Sequence, residues 1–264
     1  MARFSRIEHP LVRDISLWAW QLFGGDLDLR EAKKTTFASV HDCFIRELRE
    51  GARPIDSSPD VLVSPCDGIV GQSGRIDGSQ LVQAKGFAYS LEDLLLDRAL
   101  VQRYRNGRYV TLRLTSTMYH RFHAPEDCEV QQIRYVQGDT WNVNPATLAR
   151  VRKVFCRNER AVVTARLVNA PESITLVAIA AILVGGICLN VPGATFNLDC
   201  PGPERIVCRH SFTRGQEVGY FNHGSTIVVL VSPGFELCAA IQAGRHVRVG
   251  EPLLRRLITR SDGG

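Results

Sequence analysis

Ser225 follows Gly224 in the segment Gly224-Ser225-Thr226, directly ahead of the apolar run Ile227-Val228-Val229-Leu230-Val231. A serine there is either a hydroxyl in a turn or a nucleophile aimed at its own backbone. In the second case Oγ attacks the Gly224 carbonyl, the chain is cut, and a keto group remains at the new chain end. That chemistry needs a base and a carboxylate to orient it, and His123 and Asp67 are candidates for the two. His123 ends the pattern Tyr119-His120-Arg121-Phe122-His123, and the Pro125 that follows marks a turn, so both rings are expected at a strand end. His-x-x-His also fits half of a metal site, and two surface histidines are commoner than either. Asp67 lies in Ser64-Pro65-Cys66-Asp67-Gly68, a tight turn between apolar runs, where an aspartate ordinarily caps its own backbone. A second Gly-Ser bond, Gly78-Ser79, sits in a polar turn with no strand expected behind it, and serves as an internal comparison.

The elements that must position these residues are readable as texture. Leu11, Ile15, Trp18 and Leu22 recur at helical spacing, as do Phe37, Val40, Phe44 and Leu48, with Gly24-Gly25 between the two sets and Arg53-Pro54 after the second. The first helix carries more apolar surface than one core-facing stripe needs; its Trp and Leu residues suit either a lipid interface or packing on the body of the protein. From Val61 onward short β-rich runs alternate with turns: 61–63, 69–70, 109–114, 130–136, 161–167, 174–183, 187–191 and 226–231. Ser90 with Asp93 makes a capping box before Leu94-Leu95-Leu96, and a helix over 146–151 is expected after Asn144-Pro145. Helices first and strands after predict an α+β fold with a mostly antiparallel β-sheet core. The expected division is an N-terminal helical region, 1–55, able to associate with a membrane, and a β-rich catalytic domain, 56–264, cut between Gly224 and Ser225.

Bulk properties narrow the classes. The chain has 264 residues, 45% hydrophobic and 22% charged, in the range of a soluble globular protein. A scattered net charge of +5 gives no case for nucleic acid. Arg245, Arg248, Arg255, Arg256 and Arg260 form a basic end that is either simply solvated or suited to an anionic membrane surface. No secretory signal is visible, and the longest apolar run, Leu176 to Leu189, is short for a spanning helix and rich in β-branched residues. The eight cysteines form no Cys-x-x-Cys pair, which argues for free thiols and against structural zinc. No Gly-x-Gly-x-x-Gly, phosphate loop or hydrolase elbow is present.

Taken in order, several segments resemble the phosphatidylserine decarboxylase family: Phe44-Ile45-Arg46-Glu47-Leu48 with Arg53-Pro54-Ile55-Asp56, Ser64-Pro65-Cys66-Asp67-Gly68, and Lys85-Gly86 with Tyr89-Ser90-Leu91. The resemblance continues through Tyr119 to Pro125, Val143-Asn144-Pro145, Arg157-Asn158-Glu159-Arg160, and Gly219 to Thr226, roughly residues 35 to 255. His223, ahead of the cleavage bond, departs from the apolar residue, usually Leu, of most members. The resemblance implies that Ser225 cuts the chain with His123 as base and Asp67 holding its tautomer. An ester forms, β-elimination releases residues 1–224, and the remaining dehydroalanine hydrolyses to a pyruvoyl group on residues 225–264. This covalent cofactor accepts the electrons left behind when CO2 departs, and His120 is the candidate acid–base residue that returns a proton. The implied substrate is phosphatidylserine and the product phosphatidylethanolamine. The implied setting is the cytoplasmic side of the cell membrane, peripherally bound, as a homodimer of processed large and small chains. A soluble amino acid as substrate, a non-enzymatic β-rich binding module, and zinc held by His120, His123 and a cysteine are the competing readings.

Overall fold

The seven residues Ser225–Val231 are all buried, which explains why this run has no polar alternation. In the computed structural model, which describes residues 2–23, 27–84, 86–168, 170–181, 186–196, 204–222 and 224–257, they form a strand inside an eight-stranded sheet. Across that sheet the order is Arg205–Phe212, Cys128–Val136, Arg160–Leu167, Ser173–Ala180, Ser225–Val231, Arg108–Leu114, Gly68–Arg75 and His246–Val247. Each of these neighbours is antiparallel. Side chains of a strand alternate between faces. Ile227, Val229 and Val231 therefore enter one core, and Val228 and Leu230 enter a second on the opposite face.

The first core is closed by a four-stranded sheet ordered Thr195–Phe196, Ile187–Leu189, Glu217–Phe221 and Arg121–His123, and by a three-stranded sheet of Val61–Val63, Pro252–Arg256 and Phe235–Leu237. The second core is covered by the short helices Leu91–Leu95 and Arg98–Tyr104. Ser90 caps the first of these, its Oγ accepting from Asp93 N–H at 3.1 Å, as its sequence requires.

The mostly antiparallel β core agrees with expectation; the helical share is smaller than an α+β reading implies. The helix expected over Phe37 to Leu48 is only Val40–Phe44, capped by Ser39. Its continuation is lost because Leu48 bridges back to Ala32 as extended chain. The helix expected over 146–151 is a single turn, Pro145–Leu148, capped by Asn144. Gly78-Ser79 does have a strand behind it, Gln80–Ala84, paired with Phe87–Ser90. Alternation of exposed and buried positions makes that hairpin a half-solvated edge, and its polar residues disguised it.

The longest helix, Pro10–Phe23, has the expected spacing. Its regular stripe faces outward: Leu11, Ile15, Trp18 and Leu22 are 67%, 63%, 62% and 59% exposed. Leu17 and Trp20 face the body and pack on a small cluster of Ala32, Phe37 and Cys43. Among the described residues no helix is long and apolar enough to cross a membrane. The basic end is less free than its sequence suggests, because Arg245, Arg248, Arg255 and Arg256 pair with Glu251, Glu31, Asp60 and Glu172. Arg260, Lys85, His223 and the Leu183 end of the 174–183 run lie outside the described residues.

Candidate active site

Ser225 opens its strand opposite Leu114 on one side and Ala180 on the other. It is wholly buried, and its Oγ has no hydrogen-bond partner among the described residues. A buried hydroxyl without a partner costs free energy, which makes this serine unlike an ordinary turn residue. Half-buried Ser79 shows the ordinary case. The carbonyl of Gly224, the group Ser225 would attack, accepts the Ala181 N–H at 2.8 Å. That bond polarises the carbonyl and lies where negative charge would develop during attack.

His123 ends the short strand Arg121–His123, antiparallel to Glu217–Phe221, and His120 immediately precedes that strand. His123 faces Glu217, whereas the His120 carbonyl accepts the Phe221 N–H at 3.0 Å. His120 is thus the ring whose backbone is closer to the cleavage segment, with His123 about 10 Å further along the strand. Both tautomers follow from their partners. His120 Nδ1 lies 2.9 Å from the Met118 carbonyl and His123 Nδ1 lies 2.8 Å from the Gly215 carbonyl. A carbonyl only accepts, so each Nδ1 carries the hydrogen and each Nε2 exchanges protons as the basic atom. His123 Nε2 accepts from the Tyr119 hydroxyl at 3.0 Å. Burial pushes the His123 pKa down, an effect partly offset by the bond to Gly215 and the charge of Glu217. His120 is wholly buried against the Phe44 ring, with centroids 3.9 Å apart, and Phe44 in turn stacks on Trp20 of the N-terminal helix.

Asp67 neither caps its own turn nor bonds to His123. Both oxygens meet Arg53, with Nη2 to Oδ2 at 2.6 Å and Nε to Oδ1 at 2.9 Å, and Oδ1 also accepts the Val249 N–H at 3.0 Å. A bidentate guanidinium–carboxylate pair of this kind satisfies both groups better than a histidine would. Arg53 reaches onward to Glu31, which also pairs with Arg248, so the network ties the N-terminal segment to the β core. The turn that carries Asp67 is tied to the strand that carries His123, since the His123 N–H donates to the Pro65 carbonyl at 2.7 Å. Arg46, Arg53, Asp67, Thr117, Tyr119 and Arg248 line a cleft of about 1060 Å3 beside the loop that leads to His120. Among the described residues no group of three or more His, Cys, Asp or Glu side chains gathers to hold a metal.

Two residues near the site gained no role from the sequence. Asn158 is wholly buried, and its Nδ2 donates to the carbonyls of Trp141 and Ala180 at 2.8 and 3.0 Å. Glu159 is wholly buried beside it, and burial raises its pKa. The available signal was a run of polar and charged residues set directly against the apolar strand that begins at Arg160, but polarity alone reads as a surface turn. Arg160 resolves that conflict: its guanidinium donates to the carbonyls of Asp93, Leu94, Cys156 and Asn158, fixing the turn from inside.

Comparison with known proteins places this geometry in context. The family model described as phosphatidylserine decarboxylase matches residues 40–255. A phosphatidylserine decarboxylase proenzyme of Anaeromyxobacter sp. (strain K) is 38% identical over 241 residues, covering 86% of this chain and 82% of that protein. Those of Erwinia tasmaniensis and Halorhodospira halophila are 35% and 39% identical, covering 93% and 87% of this chain and 84% and 79% of theirs. The match of the family model across most of the chain, through Asp67, both histidines and the buried Gly224-Ser225 bond, means that the chain belongs to the phosphatidylserine decarboxylase family.

Proposed function

We propose that this chain cuts itself between Gly224 and Ser225 and then decarboxylates phosphatidylserine to phosphatidylethanolamine and CO2 at a membrane surface. The observation that carries the reading is the buried, partnerless Ser225 Oγ beside a Gly224 carbonyl already held by the Ala181 N–H. Attack by Oγ moves the acyl group from nitrogen to oxygen. Elimination then breaks the Cβ–O bond and leaves a carboxylate at Gly224, and water releases ammonia from residue 225 to leave the keto group. The surroundings suit such a group, since the residues paired with Ser225 across the sheet, Leu114 and Ala180, are apolar and Ala180 is small. When present, a pyruvoyl group supplies a carbonyl that condenses with the substrate amine and takes up electrons as CO2 leaves.

The remaining work belongs to side chains. His123, kept neutral by burial against the opposing Gly215 bond and the Glu217 and Asp67 charges, is assigned to cleavage, its Nε2 exchanging the Tyr119 hydrogen bond for the Ser225 proton. His120, held by Met118 at Nδ1, is assigned to the proton that replaces CO2, moved through Nε2. The exposed stripe of the Pro10–Phe23 helix supports peripheral attachment to lipid, with its inner Trp20 stacked towards the His120 side of the site.

Denaturing electrophoresis with intact mass measurement tests the reading. Wild-type protein should give two pieces, residues 1–224 and 225–264, the smaller carrying a borohydride-reducible carbonyl. Ser225→Ala should stay at 29.3 kDa with no decarboxylase activity. An active wild-type sample of one unbroken chain overturns it. His123→Ala that cuts normally beside His120→Ala that does not would exchange the roles of the two rings.

A further inference from the structure

We propose that Glu159 is a positioning residue for self-cleavage, holding Asn222, just ahead of the cleavage bond, in place through Gly186. The inference rests on the reading that the chain is cut at Gly224-Ser225. Arg160 lies opposite Ile179, and Ser225 lies opposite Ala180. One step further in the same register, the Ala180 N–H donates to the Glu159 carbonyl at 2.9 Å. Glu159, just ahead of its strand, Ala180 and Ser225 therefore form a row with side chains on one face and Ala180 in the middle. Adjacent strands are about 4.8 Å apart, so the two outer α-carbons of the row are separated by about 10 Å.

From this place Glu159 governs two arms that grip the cleavage segment. Its Oε1 accepts the Gly186 N–H at 3.2 Å, and the Gly186 carbonyl accepts the Asn222 N–H at 3.1 Å. The second arm runs through its backbone to Ala180, whose carbonyl is held by Asn158, and then to the Ala181 N–H on the Gly224 carbonyl. One arm fixes Asn222 and the other Gly224. Gly186 is tightly fitted: a Cβ there would lie 2.5 Å from Asn222 Nδ2, and its φ of +112° is one that other residues rarely adopt. Glu159 is wholly buried, the Tyr135 hydroxyl lies close enough to act on its carboxyl, and no ion pair to it is formed among the described residues. Burial favours the protonated acid, and a neutral carboxyl presents the same acceptor to Gly186 as a glutamine amide. Attack of a hydroxyl on the carbonyl that precedes it depends on near-attack geometry, and a misplacement of about 1 Å costs on the order of a hundredfold in rate.

The test is the rate at which newly synthesised, pulse-labelled chain converts to 1–224 and 225–264, beside circular dichroism of the same variants. Glu159→Gln should cut within about threefold of wild type. Glu159→Ala and Gly186→Ala should fold yet cut at least about thirtyfold more slowly, and the double variant should be no slower than the slower single one. A folded Glu159→Ala that cuts at the wild-type rate overturns the proposal, as does Glu159→Gln as slow as Glu159→Ala. Should Glu159→Ala fail to fold, a folded Gly186→Ala that cuts at the wild-type rate overturns it equally. A wild-type chain that never cuts removes the cleavage reading beneath the proposal, whereas equal cutting by wild type and Glu159→Ala removes only the grip.

Discussion

Replacing Ile15 and Trp18 together by serine isolates the contribution of the N-terminal helix to lipid binding. The two side chains are 63% and 62% exposed, so most of each is available to leave water on contact with a bilayer. Burying a large apolar side chain completely is worth about 1.5–3 kcal/mol, which leaves roughly 1–2 kcal/mol to gain at each position. The pair should therefore weaken vesicle binding by about 3 kcal/mol, or roughly a hundredfold in the partition constant. Because both residues project away from the Ala32–Phe37–Cys43 cluster, thermal stability should stay near wild type. Flotation with vesicles containing phosphatidylserine measures the first quantity. Decarboxylation of vesicle-borne against short-chain, soluble phosphatidylserine measures its consequence: the first should fall and the second hold. A variant that floats within threefold of wild type refutes the assignment of this stripe to lipid.

Other outcomes follow from the interior. Arg53→Ala leaves Asp67 without its bidentate partner and should lower unfolding free energy by about 3 kcal/mol, read by denaturant titration; an unchanged midpoint contradicts the buried pair described above. Arg160→Lys cannot span four carbonyls with one ammonium and should cost roughly 2 kcal/mol, whereas a neutral effect in the same titration would show that the fork is dispensable. Burial lowers the His123 pKa, so its ring stays neutral below the ordinary histidine value of about 6.5 and becomes charged only at lower pH. If His123 is the base for cleavage, the acidic limb of the cutting rate lies below that value; a limb at or above it contradicts the assignment.

The large sheet was legible because its strands are buried on both faces and read as unbroken apolar runs, as in Ser173–Ala180 and Ser225–Val231. The strand Arg205–Phe212 escaped notice for the opposite reason: it is a sheet edge, and its charged and polar residues face solvent in alternation. The placement of Ser225 at a strand mouth and of His123 at a strand end was visible from local context, since such positions leave marks in neighbouring residues. The partner of Asp67 was not, because Arg53 and Val249 reach it from distant parts of the chain. Glu159 was hidden more deeply, since a carboxyl group sealed at the head of a buried strand looks like any surface acid until the strands beside it are known.

The strand that begins at Ser225 threads between two others, each of which pairs with all seven of its residues. If the bond before it breaks, the protein changes from one polymer into two without changing outline, and the liberated end stays captive in the middle of the weave. Heating such a molecule becomes a one-way event. Once the short piece is lost, reassembly is a bimolecular encounter that must reopen a closed ladder, so recovery after denaturation should depend on concentration and be poor where the uncut Ser225→Ala chain renatures well.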